Sequence, residues 1–199
     1  MNKFVFSTVA DVVVGPGTSA QVGDMAVAMG ISRVLVVTDA GIVQFGLLDK
    51  ELHGLKSHNI EYSIYADVVA DPPESVVMDA VAKARDFKWD SVIGFGGGSS
   101  MDVAKLLAVL INGKQLLPDL YGVDKVTDGR LPLIQIPTTA GTGSEATMVS
   151  IITTGATTKA GVVSRTLLAA KIIPDSSLSS WLPPPVTLPT PLDVSVPSI

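Results

Sequence analysis

The sequence predicts an α/β domain, a doubly wound and mostly parallel sheet with helices on both faces. Three observations predict it. Short β-branched runs alternate with segments of helical period along the chain. The runs are apolar at successive positions, as strands covered on both faces require, and the segments between them are long enough to serve as the crossovers that parallel neighbours need.

In chain order, residues 1–3 (MNK) precede a short apolar stretch interrupted by Thr8 and Asp11, which is too short for a signal-peptide core and reads as a first strand. Residues 19–29 place Val22, Ala26 and Met29 on one helical face, and Gly30 supplies the stop. Residues 33–38 (RVLVVT) form the next strand. His53 and His58, the only histidines, fall in an early helix or at its exit and read as solvated surface groups. Residues 61–66 (EYSIYA) are a strand, and Asp71-Pro72-Pro73 offers a capping acid followed by prolines suited to the first turn of a helix over 74–87. That helix turns Val77, Ala80, Val81, Ala84 and Phe87 inward. A strand over 91–95 (SVIGF) leads into a helix over 100–112, with Ala104, Leu107, Ala108 and Ile111 inward and Gly113 ending it, and residues 133–136 make a further strand.

Composition narrows the function classes. The 199 residues are 47% hydrophobic and 17% charged, enough to build a core and far from a disordered composition. The formal charge of -5 argues against a general nucleic-acid surface. Without cysteine there is no disulfide framework, thiolate metal site or cysteine nucleophile, so a soluble, cytoplasmic protein is expected. The longest apolar run, near 106–111, lies inside an amphipathic helical pattern and is too short to cross a bilayer, so no membrane partner is expected. Six of the 13 prolines fall in the last 17 residues, where Asp193 is the only charged side chain. The expected division is therefore a domain over 1–180 and a proline-rich tail over 181–199.

Two segments carry candidate chemistry. The first, 94–105 (GFGGGSSMDVAK), runs from a predicted strand into a predicted helix. Its glycines allow close approach of backbone N–H groups to a ligand, and a helix N-terminus favours a phosphate. Ser99 stands where a third glycine of G-x-G-x-x-G would be, and no G-K-[ST] follows, which excludes a Walker loop. A plain tight turn with Ser99 or Ser100 as an N-cap accounts for the same residues. The second segment, 137–147 (PTTAGTGSEAT), interleaves hydroxyls at 138, 139, 142 and 144 with two glycines after a strand end. By itself it reads as an ordinary hydroxyl-rich loop.

Together, GGGSSMDVAK (96–105) and IPTTAGTGSE (136–145) resemble the paired signature of the iron-containing (group III) alcohol dehydrogenases, and the likeness runs from Gly15-Pro16-Gly17 through Val37-Thr38-Asp39-Ala40-Gly41 and Asp71-Pro72 to Lys159. The resemblance implies a Rossmann-like dinucleotide-binding domain. It implies that Gly96, Gly97, Gly98 and Ser99 hold the pyrophosphate of NAD, that Thr138, Thr139 and Thr142 line the nicotinamide-nucleotide crevice, and that Asp102 and Lys159 lie close to the cofactor. Asp39 is placed beside the adenosine ribose, where a carboxylate repels a 2′-phosphate and favours NAD over NADP; a turn or helix cap is its other reading. Asp71 stands where relatives carry Asn, and both a cofactor contact and the cap before residue 74 are read for it.

The family binds a divalent metal, iron or zinc, through one Asp and three His. Asp193 aligns with the ligand aspartate, but the histidine of that D-x-x-x-H pair falls on Pro197, so this chain is expected to lack the set and to bind no metal tightly. The implied function is NAD-dependent hydride transfer between a small primary alcohol and its aldehyde by a chain in truncated form, with a non-catalytic nucleotide-binding module as the alternative. Glycerol dehydrogenase and dehydroquinate synthase share the layout but fit the 138–145 loop less well. No catalytic residue is assigned. The high mean hydropathy of +0.45 suggests association, with a homodimer expected.

Overall fold

The computed structural model describes residues 7–155 and 157–179. In chain order its elements are β1 (Asp11–Val12), α1 (Val22–Ala28), β2 (Arg33–Asp39), α2 (Ala40–Gln44), α3 (Asp49–Ser57), β3 (Glu61–Val68), α4 (Glu74–Ala84), β4 (Ser91–Gly96), α5 (Gly98–Leu110), β5 (Gly122–Val123), β6 (Leu133–Pro137), β7 (Val149–Thr154), β8 (Thr158–Val163), β9 (Lys171–Ile172) and α6 (Ser176–Ser179). The opening stretch read as a first strand falls largely on 1–6, and the proline-rich tail with Asp193 on 181–199; both lie outside the described residues.

Six strands form one sheet in the order β1-β9-β6-β4-β2-β3, and every pairing in it is parallel. The strands are two-sided because their sequences are. In β2, Val34 and Val36 enter one core with Val22 and Ala26 of α1, Ile42 of α2 and Leu55 of α3. Leu35 and Val37 enter the other, with Val77 and Val81 of α4 and Ala104 and Leu107 of α5. The period-2 alternation of one strand thus feeds two apolar layers, and the doubly wound architecture follows. The predicted fold class holds.

Some local expectations differ. β3 was expected to be buried on both faces, yet it is the sheet edge, and only Tyr65 and Val68 along it are buried. α5 starts at Gly98, two residues before the expected Ser100, because the extended backbone of Gly97 serves as N-cap; no side chain caps it, so neither Ser99 nor Ser100 has the capping role. Asp71 does not cap α4, whose N-cap is Pro73 without a side-chain bond. The chain reverses at Asp71, which adopts a left-handed φ of 50°, so that Pro72 O accepts from Thr153 N–H at 2.9 Å and docks the loop on β7. The carboxylate is carried away from the helix to Lys159.

A second, three-stranded sheet, β5-β8-β7, packs its β7 edge on α5. The sequence reading did not anticipate it. β7 and β8 pair antiparallel, and Gly155, with φ of 59°, supplies the left-handed position in the turn between them.

The chain leaves β2 for β3 on one side and then returns to place β4 on the other, so the strand order reverses between β2 and β4. In a parallel α/β sheet such a reversal opens a crevice at the carboxyl ends of the two strands. The register levels those ends: Val37 pairs with Gly94, and Gly96 with Pro137 of β6.

Candidate functional site

A cleft of about 880 Å³ occupies that crevice. Asp39 at the end of β2, the 97–100 turn after β4, and Thr138 and Thr139 after β6 line its polar side; Phe45, Leu47, Val68 and Val69 line its apolar side. The 97–100 turn opens α5. An α-helix leaves its first N–H groups without intrahelical partners, and here no side chain caps them. Backbone donors and the positive end of a 13-residue helix therefore face the cleft, an arrangement suited to an anion.

The glycines are fitted to that turn. Gly96 has φ of 143°, and a Cβ there would approach Ser100 Oγ to 2.8 Å. A Cβ on Gly97 would lie 3.6 Å from Thr139 Oγ1, and one on Gly98 would lie 3.4 Å from Thr142, so the two threonines stand directly over the turn. Thr139 Oγ1 is buried and has no hydrogen-bond partner. A buried hydroxyl without a partner is costly, and one beside an uncapped helix N-terminus is placed to meet a ligand oxygen.

Asp39 Oδ1 accepts from Ile42 N–H at 3.1 Å and caps α2, while Oδ2 would lie 3.6 Å from a Cβ built on Gly96. One carboxylate thus caps a helix and borders the cleft. Of the residues expected at the site, Asp39, Gly97, Gly98, Ser99, Thr138 and Thr139 share the cleft, with Gly96 and Thr142 flanking it. Asp102, Lys159 and Asp71 are not among the residues that line it. Lys159 pairs with Asp71 on the rim loop, and Asp102 turns into a bonded cluster behind α5.

That cluster was missed in the sequence. Lys105 is completely buried, and its Nζ donates to Val149 O at 2.6 Å and Ser144 Oγ at 2.9 Å, and lies 3.3 Å from Asp102 Oδ1. Burial pulls the ammonium pKa down, against the opposing pull of Asp102 and Glu145. Asp102 also accepts from Ser144 Oγ at 2.5 Å and Ile151 N–H at 2.9 Å.

A second missed cluster joins distant segments. Ser19 Oγ lies 2.6 Å from Glu51 Oε1 and 2.7 Å from Asp175 Oδ2. A hydroxyl has one proton, so Ser19 donates to one of the two carboxyl oxygens at a time. Burial is the main cause that raises the pKa of Glu51, whose Oε2 has no partner. Burial also pushes Asp175 up, but bonds from Ser177, Ser19 and Gly17 outweigh it and hold the group well below the usual carboxylate range.

The histidines lie in a separate shallow hollow over α1 and α3. His58 Nδ1 is 2.8 Å from Gly54 O, and Nε2 is 2.9 Å from Asp24. Among the described residues no three His, Asp or Glu side chains converge to hold a metal ion. These described residues do not fit the family's metal. They do fit a dinucleotide, on the grounds of the uncapped α5 N-terminus and the partnerless Thr139 hydroxyl. No helix among the described residues is long and apolar enough to cross a membrane.

Comparison with known proteins agrees with this architecture. The chain is 41% identical over 183 residues to long-chain-alcohol dehydrogenase 1 of Geobacillus thermodenitrificans, covering 90% of this chain and 46% of that protein. It superposes on a 1,3-propanediol oxidoreductase with a TM-score of 0.92 at 30% identity, covering 96% of this chain and 50% of the other. Against the NADH-dependent butanol dehydrogenase A of Thermotoga maritima the TM-score is 0.88 at 32% identity, with 97% and 49% covered. The chain therefore spans about half the length of these relatives. With residues 10–176 matching the family model described as iron-containing alcohol dehydrogenase, over the same strands and glycine turn that build the cleft, the chain belongs to the iron-containing alcohol dehydrogenase family.

Proposed function

We propose that the cleft binds NAD, with its diphosphate over the 97–99 turn, and that the chain serves the interconversion of a small primary alcohol and its aldehyde. The observation that carries this reading is the uncapped N-terminus of α5 beside the partnerless Thr139 hydroxyl, at the point where the strand order reverses. Bound there, NAD supplies the hydride acceptor for alcohol oxidation.

The chain's own contribution is binding and orientation. Backbone N–H groups at 97–99 donate to the phosphate oxygens, and the Thr139 hydroxyl donates to the same group. Asp39 Oδ2 accepts from a ribose hydroxyl, and its charge disfavours a 2′-phosphate, so NAD is preferred to NADP. The apolar side of the cleft, with Leu47 and Val69, excludes water from an adenine ring. The naming of a Thermotoga maritima neighbour as NADH-dependent supports the cofactor assignment.

Titration calorimetry of NAD, NADP and AMP into the chain tests the reading. Saturable NAD binding, competed by ADP-ribose and tighter than NADP binding, is expected. Absence of any heat of association with NAD at millimolar ligand overturns it.

A further inference from the structure

We propose that Lys105 is a positioning residue for the cofactor, fixing the far end of the threonine loop over the α5 N-terminus; the inference rests on the NAD reading of the cleft. The 138–147 loop has two tethers. At its near end Thr138 N–H donates to Gly96 O at 3.0 Å, a continuation of the β4–β6 pairing. At its far end Lys105 Nζ reaches Ser144 Oγ at 2.9 Å and Thr147 Oγ1 at 3.2 Å, and Ser144 in turn donates to Asp102. Between the tethers lie Thr139 and Thr142, which stand over the glycine turn, and Gly141 and Gly143, with φ of 136° and 63°. Two glycines in that backbone region leave the span little stiffness of its own, so its two ends set where the threonines stand.

Packing does not explain a buried lysine here. Desolvating an ammonium is costly, and an apolar side chain of similar volume fills the same space without that cost. What the ammonium alone provides is simultaneous bonding to Ser144, Thr147 and the Val149 carbonyl, three points along the loop's exit into β7. Asp102 and Glu145 are the carboxylates that act on it. Neither Lys105 nor Asp102 lines the cleft, so both act on a ligand through the loop.

The test compares the wild-type chain with Ser144→Ala and with the charge-balanced pair Lys105→Met/Asp102→Asn, which avoids leaving a lone buried carboxylate. NAD and AMP affinity, thermal midpoint and hydrogen exchange are read on each. The expected result is NAD binding weakened about 3-fold in Ser144→Ala and about 10-fold or more in the double variant, as loss of one or several hydrogen bonds implies. Exchange should rise over 138–147 while β4 and β6 stay protected, and AMP, which meets the loop only through its single phosphate, should lose less affinity than NAD. NAD affinity within twofold of wild type in both variants overturns the inference, as does an equal loss of NAD and AMP accompanied by loss of β4 and β6 protection. A wild-type chain that binds neither nucleotide overturns the cofactor reading instead; unchanged exchange over 138–147 in the variants then rejects the anchor on its own.

Discussion

Thr142 stands over Gly98, so that a Cβ built on the glycine would lie 3.4 Å from both Cβ and Cγ2 of the threonine. The gap between glycine turn and threonine loop is thus about one methyl group wide beside the cleft, and a branched side chain at 98 closes it. Gly98→Val is expected to weaken NAD binding by about 100-fold, roughly 2.7 kcal/mol. The position is the first residue of α5, where valine is tolerated, so the thermal midpoint should move little. Calorimetric affinity beside a melting curve checks both halves.

Asp39 has two separable duties. Asn keeps the cap on α2 by accepting from Ile42 N–H but removes the charge, so Asp39→Asn should leave stability near wild type while narrowing the preference for NAD over NADP by about tenfold, the scale of one lost charge contact. Asp39→Ala should narrow it equally and cost about 1 kcal/mol of stability in addition. An unchanged NADP-to-NAD ratio in both variants would place the discriminating charge elsewhere.

Glu51 and Asp175 give the stability a two-sided dependence on pH. The folded pKa of Glu51 is raised above its ordinary 4.5, so its contribution is fully present below that value and lost as pH rises through the folded pKa. Asp175 behaves oppositely: its folded pKa lies below the ordinary 3.8, and its contribution is present above that value and lost as pH falls. Glu51→Gln retains a donor toward Ser19 without an ionisable proton. The variant should match wild type near pH 4.5 and melt progressively higher than wild type as pH rises to 8, and melting curves across that range read the gap.

Gly94 marks where β4 meets both its neighbour and α5. A Cβ there would lie 2.1 Å from Gln135 Oε1 and 2.8 Å from Ala104 Cβ. Gln135 is held in place by donating to Met101 O at 3.0 Å, and it is completely buried. Gly94→Ala should therefore destabilise by about 1–3 kcal/mol through overpacking, with urea unfolding as the readout.

How much of this was legible depended on whether the cause was local. The β-branched runs at 33–38 and 91–95 announced two-sided strands because burial on both faces needs apolar residues at every position, and the structure buries Val34 to Val37 and all of β4. The glycine turn was legible because a strand must end where a helix begins. β8 was not: its sequence, TKAGVV, holds a glycine and a lysine and lacks clean alternation, and it is pairing with β7 and β5 that makes it a strand. Asp71 misled because an acid before two prolines resembles a helix cap, whereas docking on β7 decides the local backbone. The Ser19–Glu51–Asp175 junction was beyond a linear reading, since its hydroxyl and its second carboxylate are 156 residues apart. Lys105 carried a motif signal in the sequence, but only the fold shows that it faces the loop rather than a ligand.

The central claim is that a dinucleotide diphosphate rests on the N-terminus of α5. A crystal structure of the chain soaked with ADP-ribose measures it directly. The account predicts phosphate oxygens within hydrogen-bonding distance of backbone N–H groups at 97–99, with Thr139 Oγ1 donating to one of them. Ordered ADP-ribose elsewhere on the molecule, or an empty turn at saturating ligand, would contradict it.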